Sequence, residues 1–136
     1  SEEKFKEVMN NQTFTELHDY GPEVHNGHGS RMGPDNSFLE LNSSWFFNRV
    51  PWKYYNNTNK FLSDMYKNPV HPQYIRFSPG GNYIIPKANM LKYSKKFYER
   101  IIEILSWEAV IGEAHMLERC IYTIFTCDWE VNDEYK

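Results

Sequence analysis

The sequence predicts an α/β or α+β domain with few strands and helices packed on them. Three observations carry this prediction. A chain of 136 residues, 40% of them apolar, amounts to one domain and is long enough to bury a core. Apolar residues recur at helical spacing in residues 58–67, 94–107 and 113–126. Two short β-prone runs flank Pro79-Gly80-Gly81 between the first and second of these.

Taken in order, residues 2–10 place Phe5, Val8 and Met9 at helical spacing among Glu and Lys, a short amphipathic helix. Residues 21–37, GPEVHNGHGSRMGPDNS, hold four Gly, two Pro, two Asn and an Asp, so they read as one long loop and a region to suspect of function. Residues 38–55 are dense in aromatics broken by Pro51 and read as a short helix running into a buried turn. Thr58 is placed to cap a helix carrying Phe61, Leu62, Met65 and Tyr66, which Pro69 ends. Tyr74–Ser78 and Asn82–Ile85 read as strands on either side of the Gly-Gly turn, and Pro86 stands where a helix would begin.

Ser94 caps a helix with Phe97, Ile101, Ile102 and Leu105 on its apolar face, ending near Trp107. The last helix starts after Gly112. At about 100° per residue, Leu117, Cys120, Ile121 and Ile124 form its buried stripe, while His115, Arg119 and Tyr122 project the other way. Glu113 falls about 40° from Leu117, in line with that stripe, so it either caps the helix or points into a cleft at its end. The chain reads as a single domain, 1–136, with N-terminal helices and the long loop in 1–73 and a distinct segment in 74–127.

Composition prunes the function classes. Fifteen Lys and Arg against 18 Asp and Glu give a net charge of −3, without the basic block that nucleic-acid or anionic-membrane binding relies on. A mean hydropathy of −0.71, no apolar run of spanning length and no secretory layout at residue 1 favour a soluble, cytoplasmic chain. Two cysteines make no disulfide framework, and Cys120 and Cys127 read as buried thiols. The aromatic content, 17%, suits either a dense core or a face that stacks on sugar-like ligands.

Few motifs carry chemistry. His25 and His28, with Asp19 and Glu23 nearby, have zinc-ligand character, but no Cys or second ligand pair stands at module spacing, so the reading is a solvated loop and no metal is assigned. Walker, Gly-x-Gly-x-x-Gly, Gly-x-Ser-x-Gly and His-Glu-x-x-His motifs do not occur. Lys87, Lys92, Lys95, Lys96 and Arg100 read as a solvated helix face. Asn-x-Ser/Thr sequons stand at Asn11, Asn42 and Asn56.

The most informative order of parts runs from Tyr74 to Cys127: YIRFSPGGNYIIP, a lysine-rich helix with Phe97-Tyr98, then GEAHMLERCIYTIFTC. This order resembles the acceptor-side half of GT-A-type glycosyltransferases. It is similar to a glycosyltransferase-like family with a small-residue turn, a "FxVSRxRI" segment, an "FY" helix and "E-x5-I-F-T". On this chain those parts are Pro79-Gly80-Gly81, residues 83–87, Phe97-Tyr98, and Glu118 with Ile124-Phe125-Thr126.

The resemblance implies transfer of a sugar from a nucleotide-sugar to an acceptor hydroxyl. The Gly80-Gly81 turn would let the backbone approach the sugar, and Glu113 or Glu118 would act as base or acceptor clamp. Trp52, Tyr83 and Trp107 are the possible sugar platforms, and Asn82 and His115 complete the expected substrate-binding set. The chain has no Asp-x-Asp motif, so no cofactor is assigned to it. A complete enzyme of this kind would use Mn²⁺ or Mg²⁺ on an upstream donor-binding half. Asp128-Trp129-Glu130 offers a carboxylate pair but follows the turn instead of preceding it, and reads as polar tail. The expected partner is a sugar or glycan acceptor. The alternative, from another class, is a non-catalytic, aromatic-rich binding module that uses its rings and the 21–37 loop.

Overall fold

The computed structural model describes Glu2, Glu3, Lys6, the backbone of residues 15–16, and residues 29–35, 37–42 and 49–136. Glu2, Glu3 and Lys6 are helical, as expected of residues 2–10, and the other described elements are two small antiparallel sheets, four helices and a 3-10 turn. Strand β1 (Thr15–Glu16) pairs with β5 (Tyr83–Ile84), and β2 (Ser30–Met32), β3 (Phe38–Leu41) and β4 (Tyr74–Arg76) form a second sheet in that order. The helices are α1 (Thr58–Met65), α2 (Lys87–Leu91), α3 (Lys95–Leu105) and α4 (Gly112–Thr126), followed by a 3-10 turn at Asp133–Tyr135. Every described pairing is antiparallel, which places the expected mixed fold on the α+β side.

Strand β2 lies inside the segment read as one loop, and β3 replaces the helix expected from residue 38. The two are joined by a turn that Asp35 closes, its Oδ1 accepting from Ser37 N at 3.2 Å and Ser37 Oγ at 2.6 Å. In β3 the buried positions are Phe38 and Glu40, and the alternation is hidden because one of its inward residues is a carboxylate. The histidine-bearing part of that segment, residues 21–28, and the aromatic run 43–48 lie outside the described residues, as do Asp19 and most of residues 2–10.

Helix α1 is capped by Asn57, one residue before the expected Thr58, with Asn57 Oδ1 accepting from Lys60 N at 2.9 Å. Thr58 is fully buried and donates instead to Asn42 O at 3.1 Å. The helix ends at Met65, before Pro69, because Tyr66 turns extended to bridge Val131. Asn42 is buried too, its Nδ2 donating to Asn59 Oδ1 at 2.6 Å and Pro72 O at 3.0 Å.

Ser94 caps α3 as expected, accepting from Phe97 N at 3.2 Å. The helix is rotated from the expected face: Phe97 and Ile104 are buried, and Ile102 is 62% exposed. Helix α4 packs across β4 and against α1, α2 and α3. Its buried side carries Glu113, Met116, Cys120 and Ile124, while Leu117 and Ile121, expected in the stripe, are only half-buried. Cys120 is buried as expected, with burial pushing its thiol up to about 12, whereas Cys127 is half-buried at the helix end.

Most described rings belong to the core. Tyr93 stacks on Phe97 at 4.0 Å and 11°, and its hydroxyl meets Tyr66 Oη at 2.7 Å and donates to Ile124 O. Burial raises both phenols well above their ordinary range. A buried ion pair fastens α4 to the larger sheet: Arg119 Nε donates to Glu40 Oε2 at 3.0 Å, and the guanidinium lies 4.9 Å over Phe77. Arg119 therefore turns inward, opposite to its expected direction.

Candidate functional site

A groove of about 360 Å³ opens between the Gly80-Gly81 turn, the end of α3 and one side of α4. Its shape starts from the turn. Gly81 N donates to Ser78 O at 3.0 Å, with Pro79 and Gly80 as central residues and Gly80 at φ +79°, the geometry of a type II turn. Gly81 follows at φ +66°, which an L side chain rarely adopts. The expected tight turn between strands is present, but it is not a hairpin: β4 leaves toward β3 and β5 toward β1.

Glu118 joins the turn to α4. Its Oε1 accepts from Gly80 N at 2.7 Å, and its Oε2 lies 3.7 Å from Arg119 Nη1. That nitrogen also donates to His115 O at 3.0 Å, so the carboxylate stands between a backbone amide and a guanidinium already locked onto Glu40. With a side chain 27% exposed, it stays open to solvent on the groove rim. Leu105, Ala114, Leu117 and Ile121 supply the remaining wall.

Glu113 is elsewhere. It is fully buried, and its Oε1 accepts from Lys53 N and Tyr54 N at 2.6 Å each and from Tyr55 N at 3.4 Å. Gly112 N donates to Pro51 O at 2.8 Å beside it. Of the two expectations for Glu113, the one in which it points into a cleft at the helix end is thus overturned, because the amides of the 53–55 bend have claimed the carboxylate. Its Oε2 is buried without a hydrogen-bond partner among the described residues.

The other expected site residues divide. Asn82 is exposed beside the turn and donates to Pro79 O at 3.0 Å. Tyr83 is half-buried, its hydroxyl accepting from Ser78 N at 2.5 Å, so it braces the turn. Trp52, 46% exposed, sits on the segment that Glu113 holds. Trp107 is half-buried with its Nε1 shielded, and His115 is half-buried on α4. Neither indole nor the imidazole lines the groove. Arg119 and Glu40, which hold the rim carboxylate in place, had no mutual signal in the sequence, lying 79 residues apart.

Among the described residues no three His, Cys, Asp or Glu side chains come together around a metal position. Glu130, of the carboxylate pair at 128–130, pairs with Lys67 at 2.8 Å and Lys136 at 2.7 Å. The basic cluster on α2 and α3 is dispersed, with Lys92 donating to Cys127 O at 2.7 Å and Lys95 paired with Glu99 at 3.1 Å. No described helix is long and apolar enough to cross a membrane. No protein-family model, characterised protein or solved structure matches the chain.

Proposed function

We propose that this chain carries the acceptor side of a glycosyltransferase, with Glu118 as the group that receives the acceptor hydroxyl's proton. The observation behind this reading is the 2.7 Å bond from Gly80 N to Glu118 Oε1, which sets a solvent-reachable carboxylate beside a side-chain-free turn at a groove. A carboxylate accepts about four hydrogen bonds, so one amide leaves capacity for a hydroxyl. As that hydroxyl's oxygen forms the new bond to the donor's anomeric carbon, the bond to the nucleoside diphosphate breaks and the diphosphate leaves with the electron pair, while the hydroxyl's proton passes to Glu118, the base that inversion of configuration requires. The reading assigns no donor site to the described residues.

The test combines binding and turnover. Saturation-transfer NMR with methyl glycosides should show contact at about 10 mM, a concentration suited to millimolar acceptors. With a donor-binding half joined upstream and UDP- or GDP-sugars and Mn²⁺ added, mass spectrometry should find product, with Glu118→Gln lowering the rate by roughly 10² or more while the glycoside still binds. Product formed at an undiminished rate by Glu118→Gln would overturn the assignment. Glycoside binding with no product from any donor would favour the non-catalytic binding module.

A further inference from the structure

We infer that the acceptor is amphiphilic, a hydroxyl-bearing molecule with an alkyl or acyl tail that lies along α3 and α4; this rests on the acceptor reading of Glu118. Among the described residues that line the groove, Glu118 is the single charged one, and it sits at the turn. The rest of the described wall is Leu105, Ala114, Leu117 and Ile121, with no aromatic ring among these residues on which a sugar would stack. A chain of sugars laid there would press hydroxyls against apolar side chains, at about 1–3 kcal/mol for each one left unpaired. A tail meets that wall without such a penalty.

Apolar surface also continues past the groove. Ile102, 62% exposed, lies three residues before Leu105 and so shares its side of α3. One polar contact at the turn and an apolar track leading from it match a head-and-tail ligand, with the reacting hydroxyl at Glu118.

The experiment uses the intact chain and monomeric n-alkyl β-D-glucosides from methyl to octyl, followed through the backbone amide signals of Gly80, Gly81 and Leu117. Affinity should rise about fourfold for every two methylenes, since an open groove removes roughly half of each methylene from water. Leu117→Ser should flatten that series, and Ala114→Asp, at an exposed helical position, should do the same where Leu117→Ser fails to fold. Shifts at Gly80 and Gly81 that are equally strong for methyl and octyl glucoside would overturn the tail and leave the acceptor reading intact. Absence of any shift there across the whole series would overturn both.

Discussion

Replacing Glu113 with Ala tests whether this carboxylate serves the backbone or a ligand. Its Oε1 receives two N–H bonds of 2.6 Å and one of 3.4 Å, all from residues 53–55, and the residue is wholly shielded from water. Hydrogen bonds to a charged group contribute about 1.5–3 kcal/mol each, so the two short ones amount to about 3–6 kcal/mol. Water reaching the exposed Lys53 end would return part of this, and the expected loss is about 3 kcal/mol. In urea, with a slope near 2 kcal/mol/M, the midpoint should fall by about 1.5 M. Glu113→Gln keeps one neutral acceptor and should lose about 1 kcal/mol. Wherever they remain folded, both variants should match the parent in the glycoside NMR assay. An Ala variant within about 0.5 kcal/mol of the parent, or one that is stable yet blind to glycosides, would refute the bracing role and return Glu113 to the site.

Arg119→Met strands Glu40 in the interior and should cost about 3–5 kcal/mol in urea unfolding, while the double variant with Glu40→Gln should recover most of it; additive losses would deny the pair. Asp133 is held down to about 2 by hydrogen bonds from Lys67 and Lys136, so its folded pKa lies below the ordinary 3.8. Its contribution to stability is present above about pH 4 and is lost as pH falls toward 2. A carboxyl NMR titration should place the midpoint near 2 and move it upward in Lys67→Met; an unmoved midpoint would contradict the cause.

Sequence pattern carried the parts whose determinants are local. Ser94 before a periodic run, glycines at 80 and 81 that alone tolerate positive φ, and a helix opening at Gly112 were all legible because each signal lies within a few residues of its effect. The fold class followed from these. Strand β3 was illegible because its inward face holds Glu40, whose compensating charge, Arg119, lies 79 residues away. The face of α3 was ambiguous for another reason: Ile101, Ile102, Ile104 and Leu105 spread over an arc of about 160°, wider than the buried stripe, and only packing chooses Ile104 over Ile102. Alignment with an apolar stripe singled out Glu113 as a helix cap or a cleft residue, and the structure buries it instead. What it could not supply was the partner, a bend about sixty residues upstream. Glu118, read from the helix alone as lying on the flank of the stripe, is the carboxylate that reaches the turn.

The joint around Asn42 bears on how the protein can be produced. Oligosaccharyltransferase attaches a glycan to the side-chain nitrogen of the sequon asparagine, and in this fold that nitrogen already donates to Asn59 and Pro72 on a residue only 6% exposed. The neighbouring sequon at Asn56 is no freer, because its Thr58 is fully buried and donates to Asn42 O. A glycosylating secretory host would modify a nascent chain before these contacts close. A glycan on Asn42 would then exclude the Asn59 and Pro72 bonds and leave α1 unfastened from the end of β3. Material from such a host would divide into unmodified, foldable molecules and glycosylated, misfolded ones, whereas a bacterial cytosol would yield one population.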